Sequence, residues 1–179
     1  MSGKRPLDEY CRRALDRGAS WARAVPASYI ETAPWVLQKC RFGCPCYDRR
    51  HLCPPRTPTP EETARVIACY DRAILITYES DRPGRERARR KKVHLDLLEL
   101  EREIFLDGYR GATAFVAGPC NLCKTCDVGK PCPKPGEPRP SMESCGIDVF
   151  ATFARAGVRL DVVRDTSSPY KLCGAILVK

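Results

Sequence analysis

Cysteine is the residue whose number and spacing point most directly to chemistry in this chain. Twelve cysteines occur among 179 residues, and eight of them fall into two groups. The members are Cys40, Cys44, Cys46 and Cys53 in the first group and Cys120, Cys123, Cys126 and Cys132 in the second. The chain starts without an apolar signal-peptide region, so we expect a cytoplasmic protein. Clustered thiols in a reducing compartment predict metal ligands rather than disulfides.

The second group lies in residues 118–140, which we call the second cysteine loop. Its core is a C-x2-C-x2-C run, followed after five residues by Cys132 and Pro133. Bacterial ferredoxins use C-x2-C-x2-C-x3-C-P, so the run predicts a [4Fe–4S] cluster. The longer last gap allows Cys132 to bind the same cluster or a neighbouring one. Zinc is an alternative, although structural zinc usually pairs two separated C-x2–4-C knuckles. Free thiols or disulfides are a third interpretation.

The first group lies in residues 40–55, the first cysteine loop, with the spacing C-x3-C-x-C-x6-C. We expect it to bind a second [4Fe–4S] cluster or to complete a shared one. Cys44 and Cys46 are separated by Pro45 alone, so both thiols could reach one cluster. Four thiolates would make an electron-transfer centre, whereas three would leave an iron open to bind substrate as a Lewis acid. His51 is either a ligand in place of one cysteine or a solvated loop histidine.

Three features together resemble a known family. They are Cys40-Arg-Phe-Gly-Cys44 with Cys53-Pro-Pro, the four cysteines of the second loop, and Arg139-Pro-Ser-Met-Glu143 followed by Gly146-Ile-Asp-Val149. The combination is similar to the "predicted metal-binding protein" family, a domain of unknown function of bacteria and archaea, from roughly Trp35 to the last strand. The resemblance implies metal binding with iron–sulfur chemistry, and its pattern carries over to Cys40, Cys44, Cys53, Cys120, Cys123, Cys126 and Cys132. Cys46 and Cys145 fall where we expect other residues in relatives, which favours three cysteines at the first site.

The net charge of +9 is not by itself a nucleic-acid footprint. Two thiolate-bound clusters of about −2 each would lower it to about +5. Residues 85–92 hold six cations, and a solvated helix start explains them better than nucleic-acid binding because no aromatic residues are interleaved. The sequence contains no glycine-rich phosphate loop, so nucleotide chemistry is not indicated. Basic residues around the first loop could stabilise thiolates or steer an anionic substrate: Lys39, Arg41, Arg49, Arg50 and Arg56.

The pattern of apolar residues predicts one α/β domain over residues 1–179. The expected elements are helices over 6–17, 60–70, 85–107 and 141–157 and strands over 73–78, 112–117, 158–162 and 172–178. Thr59, Pro60 and Glu62 predict a capping box at the second helix. Because strands alternate with helices, we expect a mixed or mostly parallel sheet with flanking helices and both cysteine loops between elements. No apolar stretch approaches the ~18 residues of a membrane span.

Four cysteines lie outside the two loops. Three of them fall on apolar faces and are expected in the core: Cys11, Cys69 and Cys173. Cys145 is expected in the first turn of a helix capped by Ser141, where the helix dipole could lower its pKa. A buried position is favoured over a reactive one, because Cys145 shares a stripe with apolar residues. The segment from Arg139 to this helix start could also bind an anion or lie near a cluster.

The sequence therefore predicts an iron–sulfur protein with one or two [4Fe–4S] clusters and a redox or electron-transfer role. Its expected partner is a redox protein or a small-molecule substrate, with no membrane and no nucleic acid involved. Two alternatives remain open. One is an enzyme acting on a small anionic or sulfur-containing substrate at a three-cysteine cluster. The other is a zinc-binding interaction module.

Overall fold

The structure is a computed structural model that describes residues 4–80, 86–165 and 168–179. These residues form five α-helices and four β-strands. In chain order they are α1 (Leu7–Asp16), β1 (Trp21–Pro26), α2 (Pro34–Gly43), α3 (Pro60–Ile67), β2 (Arg72–Ser80), α4 (Glu86–Leu106), β3 (Thr113–Phe115), α5 (Val149–Arg155) and β4 (Tyr170–Val178). Short 3-10 turns occur at Ala27–Tyr29 and Glu143–Cys145.

The four strands form one sheet in the order β1-β2-β4-β3, and every neighbouring pair is antiparallel. The α/β class is confirmed, but the expected mixed or mostly parallel sheet is wrong. β2 and β3 run in the same direction with α4 between them in the chain, as in a parallel βαβ unit. β4 lies between them and pairs with both, so that Ile176 is opposite Ile74 on one side and Ala114 on the other. Alternation along the chain does not determine which strands become neighbours.

Both faces of the sheet are covered, as the continuous apolar run in β2 predicts. Ile74 and Ile76 point to one face and pack with residues of α1 and α4. Leu75 points to the opposite face and packs in a cluster with Ile67 of α3 and Phe153 of α5. All five residues are buried. The sheet is thus a central layer between two helical layers, and the second cysteine loop follows its strand β3.

Local signals predicted several elements correctly. At α3 the capping box is present, because Thr59 Oγ1 accepts from Glu62 N at 3.2 Å and Thr59 N donates to Glu62 Oε2 at 2.8 Å. α1, α4, β2, β3 and β4 fall within a few residues of their expected bounds. Gly108 follows α4 with φ +97°, a left-handed conformation that ends the helix. Arg85, expected in α4 and in its basic run, lies outside the described residues.

The expected helix over 141–157 is wrong, because it is interrupted. Ser141 Oγ accepts from Ser144 N at 3.1 Å, but Ser144 belongs to the short 3-10 turn and no longer helix starts there. Gly146 then adopts φ +73°, which a continuing α-helix cannot accommodate. α5 starts afresh after Asp148, whose Oδ1 accepts from Ala151 N at 3.0 Å. The helix start that the sequence offered as an anion site is therefore a short turn.

The expected strand over 158–162 is also wrong. Val158 and Leu160 do pack against the core, so the alternating pattern is real, but the segment pairs with no strand in the described residues. Conversely, β1 and α2 are two elements that the sequence did not predict. Among the helices in the described part of the chain, none combines the length and the apolar character needed to cross a bilayer.

Candidate metal centre

The first cysteine loop begins inside a helix and ends in the core. Cys40 lies in the last turn of α2, and Cys44 N donates to the Cys40 carbonyl at 3.3 Å as the helix ends. The chain then folds back on itself, because Asp48 N donates to the carbonyl of Pro54 at 2.8 Å. Cys53 is buried at the end of this turn. The backbone of the loop therefore has hydrogen bonds of its own and is attached to regular structure on both sides.

The four thiols of the first group are electrostatic neighbours. Burial raises the pKa of the Cys53 thiol to about 12, and Cys46 and Cys44 act in the same direction. Burial likewise raises the pKa of Cys40, with a further contribution from Cys44. The structure thus brings Cys46 into the first group, and its Sγ accepts a hydrogen bond from Arg50 Nε at 3.3 Å.

The second cysteine loop is closed at its base by the end of β3. Val116 N donates to the carbonyl of Pro140 at 2.9 Å, and Met142 N donates to the carbonyl of Val116 at 3.2 Å. Val116 and Ser141 also form an isolated parallel bridge. The chain consequently leaves the sheet and returns to it at one place, and the intervening residues form a loop with fixed ends.

All four cysteines of the second group line one small cleft of about 30 Å³. Leu122 also lines it and is buried, which holds the loop against the rest of the protein. Burial raises the pKa of the Cys120 thiol, and the neighbouring Cys123, Cys126 and Cys132 thiols add to this shift. The second group is therefore gathered around a common space.

The two loops touch each other through side chains that the sequence only hinted at. Arg50 donates from Nη1 to the carbonyl of Cys120 at 2.7 Å, while its Nε donates to Cys46. His51 Nε2 lies 3.0 Å from the carbonyl of Asp127, which can only accept, so the ring nitrogen donates. In the structure both Arg50 and His51 therefore link the first loop to the second.

The basic start of α4 also contacts the second loop. Arg87 donates to the carbonyl of Cys123, and Arg89 donates to the carbonyl of Glu79 at 2.9 Å. A fully solvated helix start is therefore not what the structure shows. Lys92 is similarly engaged, since its ammonium contacts the carboxylate of Asp96 at 2.5 Å.

Sequence reasoning missed the ion pair that closes the end of the second loop. Arg139 Nε donates to Glu101 Oε2 at 2.6 Å, and its Nη1 donates to the carbonyl of Gly136 at 2.8 Å. Glu101 is buried on the inner face of α4, four residues after Leu97. That position was a usable signal, because a carboxylate within an apolar stripe needs a partner.

Three of the other basic residues around the first loop have partners other than the thiols. Arg56 pairs with Asp48. Lys39 Nζ lies 5.0 Å from the centre of the Trp35 ring, and the Arg41 guanidinium lies 5.6 Å from that of Phe42.

The thiols of each group lie near one another, but they are not positioned as complete sets of metal ligands. In the described residues, no group of three or more His, Cys, Asp or Glu side chains is arranged to hold a single metal ion. The donor chemistry nevertheless fits a metal centre, because sets of thiolates select zinc or iron–sulfur clusters. The twelve cysteines are all free thiols, so no disulfide competes for these sulfur atoms.

Of the four cysteines outside the loops, three are buried and one is exposed. Cys11, Cys145 and Cys173 are buried, as expected. Cys145 lies in the 3-10 turn instead of at a helix start, and burial raises its pKa to about 11, which favours the buried interpretation over the reactive one. Cys69 was expected in the core but is exposed, with its Sγ 3.4 Å from the carbonyl of Arg65. It follows the end of α3, where the apolar stripe has turned away from the sheet.

Comparison with known proteins gives a family and no closer relative. No curated protein and no solved structure matches the chain. The model of one family, described as "Predicted metal-binding protein (DUF2284)", matches residues 23–178. That range runs from β1 to the end of β4 and includes both cysteine loops. With its thiols gathered in two contacting loops and nearly its whole length matched, the chain belongs to this family of predicted metal-binding proteins.

Proposed function

We propose that the protein binds two [4Fe–4S] clusters, one on each cysteine loop, and transfers electrons through them. The observation that carries the proposal is the cleft lined by Cys120, Cys123, Cys126 and Cys132. Their C-x2-C-x2-C spacing with a final Cys-Pro is typical of cluster-binding runs and unusual for zinc. When bound, such clusters supply one-electron redox chemistry.

The residues around the thiols suit a negatively charged centre. A [4Fe–4S] core with four thiolates carries about −2, and the guanidinium of Arg50 lies between the two groups. Its hydrogen bond to Cys46 opposes the build-up of negative charge on that sulfur. A positive charge between the two groups lowers the electrostatic cost of gathering thiolates and a negatively charged cluster. Arg50 thus supports the cluster binding that the proposal requires.

Within this proposal, Cys40, Cys44 and Cys53 bind the first cluster. Cys46 does not bind iron, because its sulfur accepts a hydrogen bond from Arg50. The support is the 3.3 Å contact between Arg50 Nε and Cys46 Sγ. An iron without a protein thiolate could then bind a small substrate. Replacing Cys46 with serine should leave the iron content unchanged. If that variant loses a cluster instead, the first site has four cysteine ligands.

Electron paramagnetic resonance of anaerobically prepared, dithionite-reduced protein tests the proposal. We expect signals from two reduced clusters in the unmodified chain. Cys126→Ser should remove one component and Cys53→Ser the other. Cys69→Ser is the matched control, because Cys69 is exposed and outside both loops, and it should keep both. A colourless, signal-free protein containing zinc would instead favour the interaction module.

A further inference from the structure

A cavity of about 560 Å³ lies against the starts of both cysteine loops. Lys39, directly before Cys40, and Gly118, the first residue of the second loop, both line it. Pockets for small organic ligands usually measure about 300–1,000 Å³. The cavity is distinct from the cleft between the second-loop cysteines, which has other lining residues.

The walls of this cavity are mostly apolar. Val36, Ile147 and Leu172 are buried and form its floor. Trp35 and Phe150 also line it, and each leaves 47% of its surface exposed. A half-exposed aromatic pair over an apolar floor gains contact area when a ring-sized apolar group enters. The walls therefore suit the apolar body of a ligand.

Arg90 supplies a polar group that lacks a partner. It lines the cavity, and its Nε is buried without a hydrogen-bond acceptor in the described residues. A desolvated donor left unpaired is costly, and a charged one more so. Two acids on the wall, Glu79 and Glu143, are exposed and remain solvated. The other two are engaged, since Asp148 caps α5 and Asp161 lies 3.6 Å from Arg159.

We propose that this cavity binds a small organic anion with an apolar, ring-sized body and one acidic group. The body packs on the apolar floor, and the acidic group accepts from the Arg90 guanidinium. This goes beyond the proposed function, because neither Arg90 nor Phe150 belongs to a cysteine loop. It places a bound organic acid beside the metal-binding loops, where such a molecule can be a substrate or an effector.

Isothermal titration calorimetry of the full-length, anaerobically prepared protein tests this inference. The probe is 8-anilinonaphthalene-1-sulfonate, and its uncharged analogue N-phenyl-1-naphthylamine reports the apolar contribution alone. We expect one sulfonate per chain. Arg90→Gln should weaken sulfonate binding about tenfold or more and change binding of the neutral analogue less than about twofold. Phe150→Ala should weaken the binding of both compounds about threefold to tenfold.

Matched controls come from α4. Arg102→Gln removes the same charge at an exposed position outside the cavity, and Phe105→Ala removes a ring that is 51% exposed and also outside it. Both should bind the probe like the unmodified chain. The inference is overturned if binding is not saturable at one site, or if Arg90→Gln and Phe150→Ala behave like their controls. Iron content, measured on every variant, should stay constant, so a failure here is distinct from a failure of cluster binding.

Discussion

The first and second cysteine loops carry the same number of thiols but are supported in different ways. The first continues from α2, turns back through the bond between Asp48 N and Pro54 O, and ends at buried Cys53. Inside the second, the backbone bonds present in the structure are Lys130 N to Asp127 O and Glu137 N to Lys134 O, both 3.3 Å.

The second loop is held mainly by side chains from elsewhere. Arg50, His51 and Arg87 donate to its backbone carbonyls, and His94 of α4 lies 3.1 Å from the carbonyl of Glu137. The first loop is thus shaped by its own backbone, while the shape of the second depends on its neighbours and, we infer, on its metal. Equal ligand chemistry does not imply equal preorganisation.

The largest expected effect follows from removing the metal. Anaerobic chelation should speed amide hydrogen exchange in residues 118–140 by about 100-fold, because little internal backbone bonding remains there. In residues 40–55 the increase should stay below about tenfold. Hydrogen-exchange mass spectrometry of the loaded and stripped protein measures both, with the peptides of β2 as an internal reference. Equal increases in the two loops would contradict the comparison.

The support of the first loop can be broken at Gly146. Its carbonyl accepts from Ala33 N at 2.8 Å, at the start of α2, and a Cβ at Gly146 would lie 2.5 Å from Cγ of Pro60 in α3. With φ +73° as well, Gly146→Ala should lower the free energy of unfolding by about 2–4 kcal/mol. Urea denaturation of anaerobic protein measures the change.

Gly157→Ala is the control for this prediction. Gly157 also has a left-handed backbone, with φ +81°, but a Cβ there would meet nothing within 4 Å. Gly157→Ala should lower the free energy of unfolding by about 1 kcal/mol, because only the left-handed backbone conformation disfavours alanine there. If the two variants are equally destabilised, the close approach of Gly146 to Pro60 does not add to the cost.

A smaller effect should result from cutting the link between the loops. Arg50→Gln removes the bonds to Cys46 Sγ and to the Cys120 carbonyl, which should cost about 1–3 kcal/mol and loosen the second loop. Limited trypsin digestion after Lys124, which is exposed in the second loop, should then be several-fold faster. Arg49→Gln is the control, because Arg49 is exposed and has no side-chain partner in the described residues. Equal digestion rates in both variants would show that Arg50 does not couple the loops.

The smallest effect concerns pH and the second loop's contact with α4. Burial lowers the pKa of His94 below its ordinary value of 6.5. The unfolded chain therefore binds a proton that the folded chain does not, so stability falls as pH drops below about 6.5. One proton limits this slope to about 1.4 kcal/mol per pH unit. His94→Gln should remove this part of the pH dependence, and urea titrations at pH 7.5 and 5.5 measure it. A stability difference between the two proteins that does not change with pH would contradict the expectation.

Elements with local signals were predictable from the sequence. The capping box at Thr59 and the apolar runs of β2 and β4 depend on neighbouring residues, and the structure has all three. The sheet direction was not predictable in this way. The sheet direction depends on β4 lying between β2 and β3, and this pairing joins residues that are far apart in the sequence. The break at Gly146 was missed because the helical pattern on either side of it is intact.

In the candidate site, too, local features were predictable and long-range contacts were not. Spacing predicted that each set of cysteines forms a group, and the structure gathers both groups. Spacing could not predict that the groups touch, because the contact depends on Arg50 reaching a backbone carbonyl 70 residues away. The large cavity could not be predicted from the sequence either, because its walls come from elements that are far apart in the chain: α2, α4, α5 and β4.

Quantifying iron, zinc and acid-labile sulfide in one anaerobic preparation tests the central claim most directly. Two [4Fe–4S] clusters predict about eight iron atoms and about eight sulfides per chain, falling to about four of each in Cys126→Ser. Stoichiometric zinc without sulfide, or thiols free of any metal, would contradict the account.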